Sequence, residues 1–142
     1  MTLSASHAMG LCLLLTSACT GLVAGPESQA TVPVPASRDS AYVRARRALQ
    51  GESFTMDVVD STGGVLTGTR WPSSSAAQGS SAACHVMVAM QIRGDASTAE
   101  VTSTSRWLAP SSMSDKAPTV CERERGQVLE RTAQVLVPPP TP

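Results

Sequence analysis

The chain has 142 residues and a formal net charge of +0, enough for one domain and too little for two of ordinary size. Only 3% of residues are aromatic and 15% charged, well under the charged share of an average protein, with Ser and Thr in their place. The balanced charge excludes the basic face of a nucleic-acid binder and the long tail of a charge-driven partner.

The amino terminus is uncharged, and no Asp, Glu, Lys or Arg precedes Glu27. Its dense apolar part runs from Met9 to Leu15. A bilayer-spanning helix needs about 20 apolar residues, whereas the core of a secretory signal needs about 7 to 15. The run fits the second. Small residues follow, then Cys19, and the chain turns polar and Pro-rich. Leu15-Thr16-Ser17-Ala18-Cys19 resembles the lipobox of bacterial lipoproteins. In that family the Cys sulfur receives a diacylglycerol, signal peptidase II cuts before it, and the new amino group is often acylated, typically with palmitate. The resemblance implies that residues 1–18 are a signal peptide and that Cys19 is the lipidated residue, holding the protein to a membrane. Thr16 stands where Leu is usual, and Met1 to His7 carry no Lys or Arg. Thr20 stands where the enteric version has Asp for inner-membrane retention, which implies the periplasmic face of an outer membrane in a Gram-negative envelope. Each buried lipid methylene contributes about 0.8 kcal/mol, so two or three chains anchor stably. Plain secretion and an uncleaved amino-terminal helix are the alternatives for the same segment.

Residues 19–38 hold Pro26, Pro33 and Pro35 among small polar residues, the composition of an extended, semi-rigid tether. The body is expected over residues 39–137. Asp39 or Ser40 can cap a helix over Ala41 to Gln50, stopped by Gly51, with Tyr42, Ala45 and Leu49 on one face. Phe54, Met56 and Val58 alternate with Thr55 and Asp57, as in a half-buried strand. Asp60 to Gly64 is a turn, and Val65 to Trp71 returns as a hairpin partner. Ser73 to Ala83 has no periodicity. Cys84, Val86, Val88, Met90 and Ile92 then share one strand face. A turn at Gly94-Asp95 leads to a Thr-rich strand over Thr98 to Trp107, whose Thr102 to Ser105 suggest a wet face. Thr119 to Glu122 fits a capping box opening a helix with Val128, Leu129, Thr132, Val135 and Leu136 on its stripe. Residues 138–142 form a Pro-rich tail that can be neither helix nor inner strand. The order predicts an α+β domain: a four-stranded antiparallel sheet of two hairpins, flanked by an N-terminal and a C-terminal helix.

In the lipoprotein reading Cys12 leaves with the signal and Cys19 takes the lipid, so Cys84 and Cys121 remain. In an oxidising compartment such a pair usually closes, and a loop of that size contributes about 3 to 4 kcal/mol. No cofactor or metal is expected, because Cys84 and His85 are adjacent and would face opposite sides of a strand. No phosphate-binding Gly motif occurs, so no nucleotide is expected. A hydrolase would have His85 as its base, with no G-x-S-x-G elbow to supply a nucleophile. Asp57 and Asp60 read as a wet face and a turn former, Arg44, Arg46 and Arg47 as a solvated helix face. Trp71 and Trp107 end two strands, where they could flank a groove or sit partly in the core. The expected function is a non-catalytic, membrane-tethered binding or scaffolding module of the cell envelope, with other envelope proteins as partners. The alternative is a small exported enzyme using His85.

Overall fold

The computed structural model of the protein describes residues 21–71 and 84–140. The expected signal peptide, Cys19, the whole Ser/Ala/Gly loop over Ser73 to Ala83 and the last two tail residues lie outside the described residues. The elements are β1 (Leu22–Ala24), β2 (Ser28–Val34), α1 (Arg38–Gly51), β3 (Thr55–Asp60), β4 (Val65–Arg70), β5 (His85–Gly94), β6 (Ala99–Pro110), a 3-10 turn (Ser111–Met113) and α2 (Ala117–Leu136).

The fold is α+β, with an antiparallel sheet and two helices, but the sheet has six strands rather than the expected four. Strands β6, β5, β4 and β3 follow one another, and β1 and β2 share the outer edge of β6. β1 pairs with Leu108 to Pro110 and β2 with Ala99 to Ser105. Both added strands come from the segment expected to be a tether. Pro content is a poor guide there, because an edge strand tolerates Pro. Val32 and Val34 turn inward while Gln29, Thr31 and Pro33 turn outward, so the segment has a face to bury. Between the two strands, Gly25 donates its N–H to the Trp107 carbonyl at 2.9 Å. A Cβ on Gly25 would lie 2.1 Å from the Trp107 indole nitrogen, so only glycine lets the chain pass under the ring.

α1 begins earlier than expected. Ser37 is its cap, with its hydroxyl accepting from the Ser40 N–H at 3.2 Å. Gly51 is its last residue and not the stop that follows it. The Ser53 N–H bonds the Gln50 carbonyl, and the Phe54 N–H bonds the Leu49 carbonyl. Ser53 takes the left-handed conformation at φ 64, completing a Schellman end in which Leu49 and Phe54 are both buried. α2 also starts earlier, at Ala117, with Pro118 in its first turn and no side-chain cap. The capping box expected at Thr119 is therefore not formed: Pro118 is already helical, a position its fixed φ and missing N–H suit.

The two helices cover one face of the sheet. The core joins Tyr42, Ala45 and Leu49 of α1 with Val86, Val88, Met90 and Ile92 of β5 and Val128 and Leu136 of α2. A second cluster gathers Cys84, Trp107, Ala109, Ala117 and Cys121 beneath the start of α2. The expected inward face of β5 is the observed one. In β3 the alternation breaks at a bulge between Met56 and Val58, which leaves Val58 exposed.

Candidate binding site on the open sheet face

Pleating sends every second residue away from the helices. Register places Thr67, Ala89 and Thr104 in one row of the open face, and Thr69, Met87 and Arg106 in the next. Thr31 and Thr102 face each other across β2 and β6, their hydroxyls 3.2 Å apart. A groove of about 350 Å³ runs over these rows, between Glu27 at the β1–β2 junction and Asp57 on β3. Asp57 accepts from the Thr69 hydroxyl at 2.8 Å, which holds one carboxylate over the groove rim. Arg106 lines the same groove and is exposed. The surface is built of hydroxyls, one thioether and a few opposed charges, suited to hydrogen bonding a ligand laid across the strands.

The groove residues come from five segments, and no local motif announces them. The one signal is the Ser/Thr run of β6. There Thr102 and Thr104 face the open side, while Ser103 and Ser105 are buried under α2. Ser105 accepts from Arg125 Nη1 at 3.0 Å. Arg125, itself buried, also bonds the Glu122 carboxylate, which accepts from Trp107 Nε1 at 3.0 Å. This polar knot pins α2 to the sheet, and no sequence motif signals it.

Cys84 and Cys121 form a disulfide, with Cα atoms 5.4 Å apart and a sequence separation of 37. It joins the residue before β5 to the first turn of α2, and both ends are buried. A closed pair is compatible with an extracellular or periplasmic location. His85 follows on the open face, and its ring lies 4.5 Å from that of Trp71. Among the described residues, His85 has no hydrogen-bonded Ser, Asp or Glu side chain. Trp71 is 60% exposed and Trp107 2%, so the two do not flank one groove. Asp60 accepts from the Gly63 N–H at 2.9 Å and shapes the β3–β4 turn. Arg44 donates to the Leu136 carbonyl, and Arg46 and Arg47 are exposed.

Two carboxyl groups are shifted. Backbone N–H groups of Thr98 and Ser97, with the Ser97 hydroxyl, hold Asp95 down to about 2. Glu52 lies below the usual carboxylate range because Arg131 bonds it through two nitrogens, each at 2.8 Å. Neither is in the groove. Among the described residues no group of three His, Cys, Asp or Glu is placed to hold a metal, and no helix is long and apolar enough to cross a membrane.

No protein-family model and no curated protein matches the chain. Among solved structures it is similar to a point mutant of norcoclaurine synthase from Thalictrum flavum in complex with a transition-state analogue. The TM-score is 0.48 at 7% identity, over 82% of this chain and 96% of that one. It is also similar to a protein from Thermus thermophilus, with a TM-score of 0.41 at 12% identity, over 78% of this chain and 97% of that one. At scores and identities this low, neither likeness bears on what the chain does.

Proposed function

We propose that the protein is a lipid-anchored, non-catalytic binding module of the bacterial cell envelope, attached through Cys19 and binding through the open face of its sheet. The observation that carries the binding role is the one-sided sheet. Both helices pack on one face, and the other keeps a groove edged by Glu27, Asp57 and Arg106. An antiparallel sheet can leave one face to solvent, and here that face holds a groove of about 350 Å³ lined by hydroxyls and opposed charges. The closed Cys84–Cys121 bond and the lipobox-like Leu15 to Cys19 support export.

Intact-mass measurement of protein extracted from membranes tests the anchor. A chain starting at Cys19 with added diacylglyceryl mass is expected, and a Cys19→Ala variant should leave the membrane. A membrane-bound Cys19→Ala variant overturns the anchor. A photo-crosslinker in place of Thr104 tests the face. It should give a defined adduct in cells, where the same crosslinker in place of Arg47 on α1 gives none. Equal yields from both positions defeat the binding face.

A further inference from the structure

The groove on the open face has opposite charges at set places along one row. Asp57 on β3 bonds Thr69, and Thr69, Met87 and Arg106 follow in register on β4, β5 and β6. Asp57 and Arg106 are therefore three strands apart, about 14 Å at about 4.8 Å per strand. Both are exposed, and among the described residues Arg106 has no ion-pair partner. Glu27 stands past Arg106 at the outer edge, because Ser28 pairs with Ser105. The neighbouring row is Thr67, Ala89 and Thr104. Ala89 carries only a methyl and leaves the middle of the floor low, with a hydroxyl on each side. Every residue lining the groove is a described one, and none is aromatic.

We infer that the groove holds a short peptide by its two charged ends, the ammonium at Asp57 and the terminal carboxylate at Arg106. The inference rests on the binding face proposed above and names its ligand class. An extended chain advances about 3.3 to 3.6 Å per residue, so about four residues bridge the two charges. A guanidinium meets a carboxylate with two parallel N–H donors. The Thr69 hydroxyl, by donating to Asp57 Oδ2, holds the other carboxylate in place for the ammonium. Between the ends, the Thr67 and Thr104 hydroxyls can each donate to or accept from the peptide backbone. Met87 is the adaptable contact for side chains of varied shape. Glu27 limits the length, because a longer chain would carry its carboxylate past Arg106 and toward a like charge. A neutral sugar chain brings neither charge, and the floor offers it no aromatic ring.

The full chain, isotope-labelled at its methionine methyl groups and held in detergent micelles, reports binding through the NMR resonance of the Met87 methyl. Buried Met90 is the internal reference. Tetraalanine should shift Met87 saturably and leave Met90 unmoved. Acetylating its amine or amidating its carboxylate should each weaken binding several-fold. Arg106→Gln should abolish the preference for free acid over amide and keep the preference for free amine over acetylated amine. Asp57→Asn should do the reverse. No saturable shift of Met87, equal binding of all three peptide forms, or equal binding of an uncharged tetrasaccharide of N-acetylglucosamine overturns the peptide class. If the crosslinker in place of Thr104 still gives its adduct in that case, the binding face stands. If that adduct is missing too, both readings fall.

Discussion

At the scale of single residues, the buried Arg125 decides how α2 is held. Its side chain is about nine-tenths covered, while the Glu122 side chain is 43% accessible. The carboxylate serves two donors, Arg125 and the Trp107 indole. Removing it strands a charge and an N–H under the helix, and such orphaned groups cost more than the bond itself was worth. Glu122→Ala should lower stability by about 2 kcal/mol, read as a fall in denaturation midpoint at unchanged slope. Glu122→Gln keeps an acceptor and should lose less. Arg125→Met should lose less than Glu122→Ala, because the Glu122 carboxylate it leaves is 43% accessible and keeps the Trp107 N–H. Nothing in the sequence around Glu122-Arg123-Glu124-Arg125 separates the buried arginine from its neighbours. Its burial follows from the helical face it occupies together with Cys121, Val128 and Thr132.

At the scale of elements, legibility follows the strength of the local pattern. β5 can be read from its alternation because five successive inward positions, Cys84 to Ile92, are apolar or Cys. β2 has the same alternation in weaker form, and its prolines suggest an extended tether. Only pairing with β6 makes it a strand, and long-range pairing has no local signal. The groove is hidden for the same reason, since β1–β2, β3, β4, β5 and β6 each supply a little of it. The Cys84–Cys121 bond is open to counting, and it ties the residue before β5 to α2 inside the Trp107 cluster. Replacing both cysteines with Ala should cost about 2 to 4 kcal/mol, seen as a drop in Tm. Reduction of the wild-type protein should reproduce that drop, and equal Tm values before and after reduction would contradict it. The β5–β6 turn makes a second element-level prediction. Asp95 gathers the Ser97 and Thr98 N–H groups, and its carbonyl accepts from Arg38 at the start of α1. Its folded pKa of about 2 lies below the ordinary 3.8. The stabilisation is therefore complete above 3.8 and is lost as pH falls through about 2. Asp95→Asn should flatten the acid limb of the stability curve in that window and leave the curve above about pH 5 parallel to wild type.

At the scale of the whole molecule, the edge strands change what a lipid on Cys19 would mean. A tether over residues 19–38 would hold the domain well off the bilayer and expose Arg38, the first basic residue after Cys19, to proteases. In the fold, that segment is sheet from Leu22 to Val34, broken only at the β1–β2 junction. Arg38 itself is tied down. Its N–H bonds the Asp95 carbonyl, and its guanidinium bonds the Ser61 and Thr62 carbonyls. Cleavage there requires α1 to open at its first turn, and local opening of a packed element carries a free-energy cost that slows proteolysis. Even a completed cut would leave β2 paired along seven residues of β6. Trypsin added to membranes carrying the protein should therefore fail to release the domain under native conditions, and should release it once urea unfolds the sheet. A soluble fragment beginning at Asp39, appearing at low trypsin without denaturant, would mean that β1 and β2 are not part of the folded body in the membrane-bound protein. Retention in both conditions would place the attachment beyond Arg38 and remove Cys19 as the anchor.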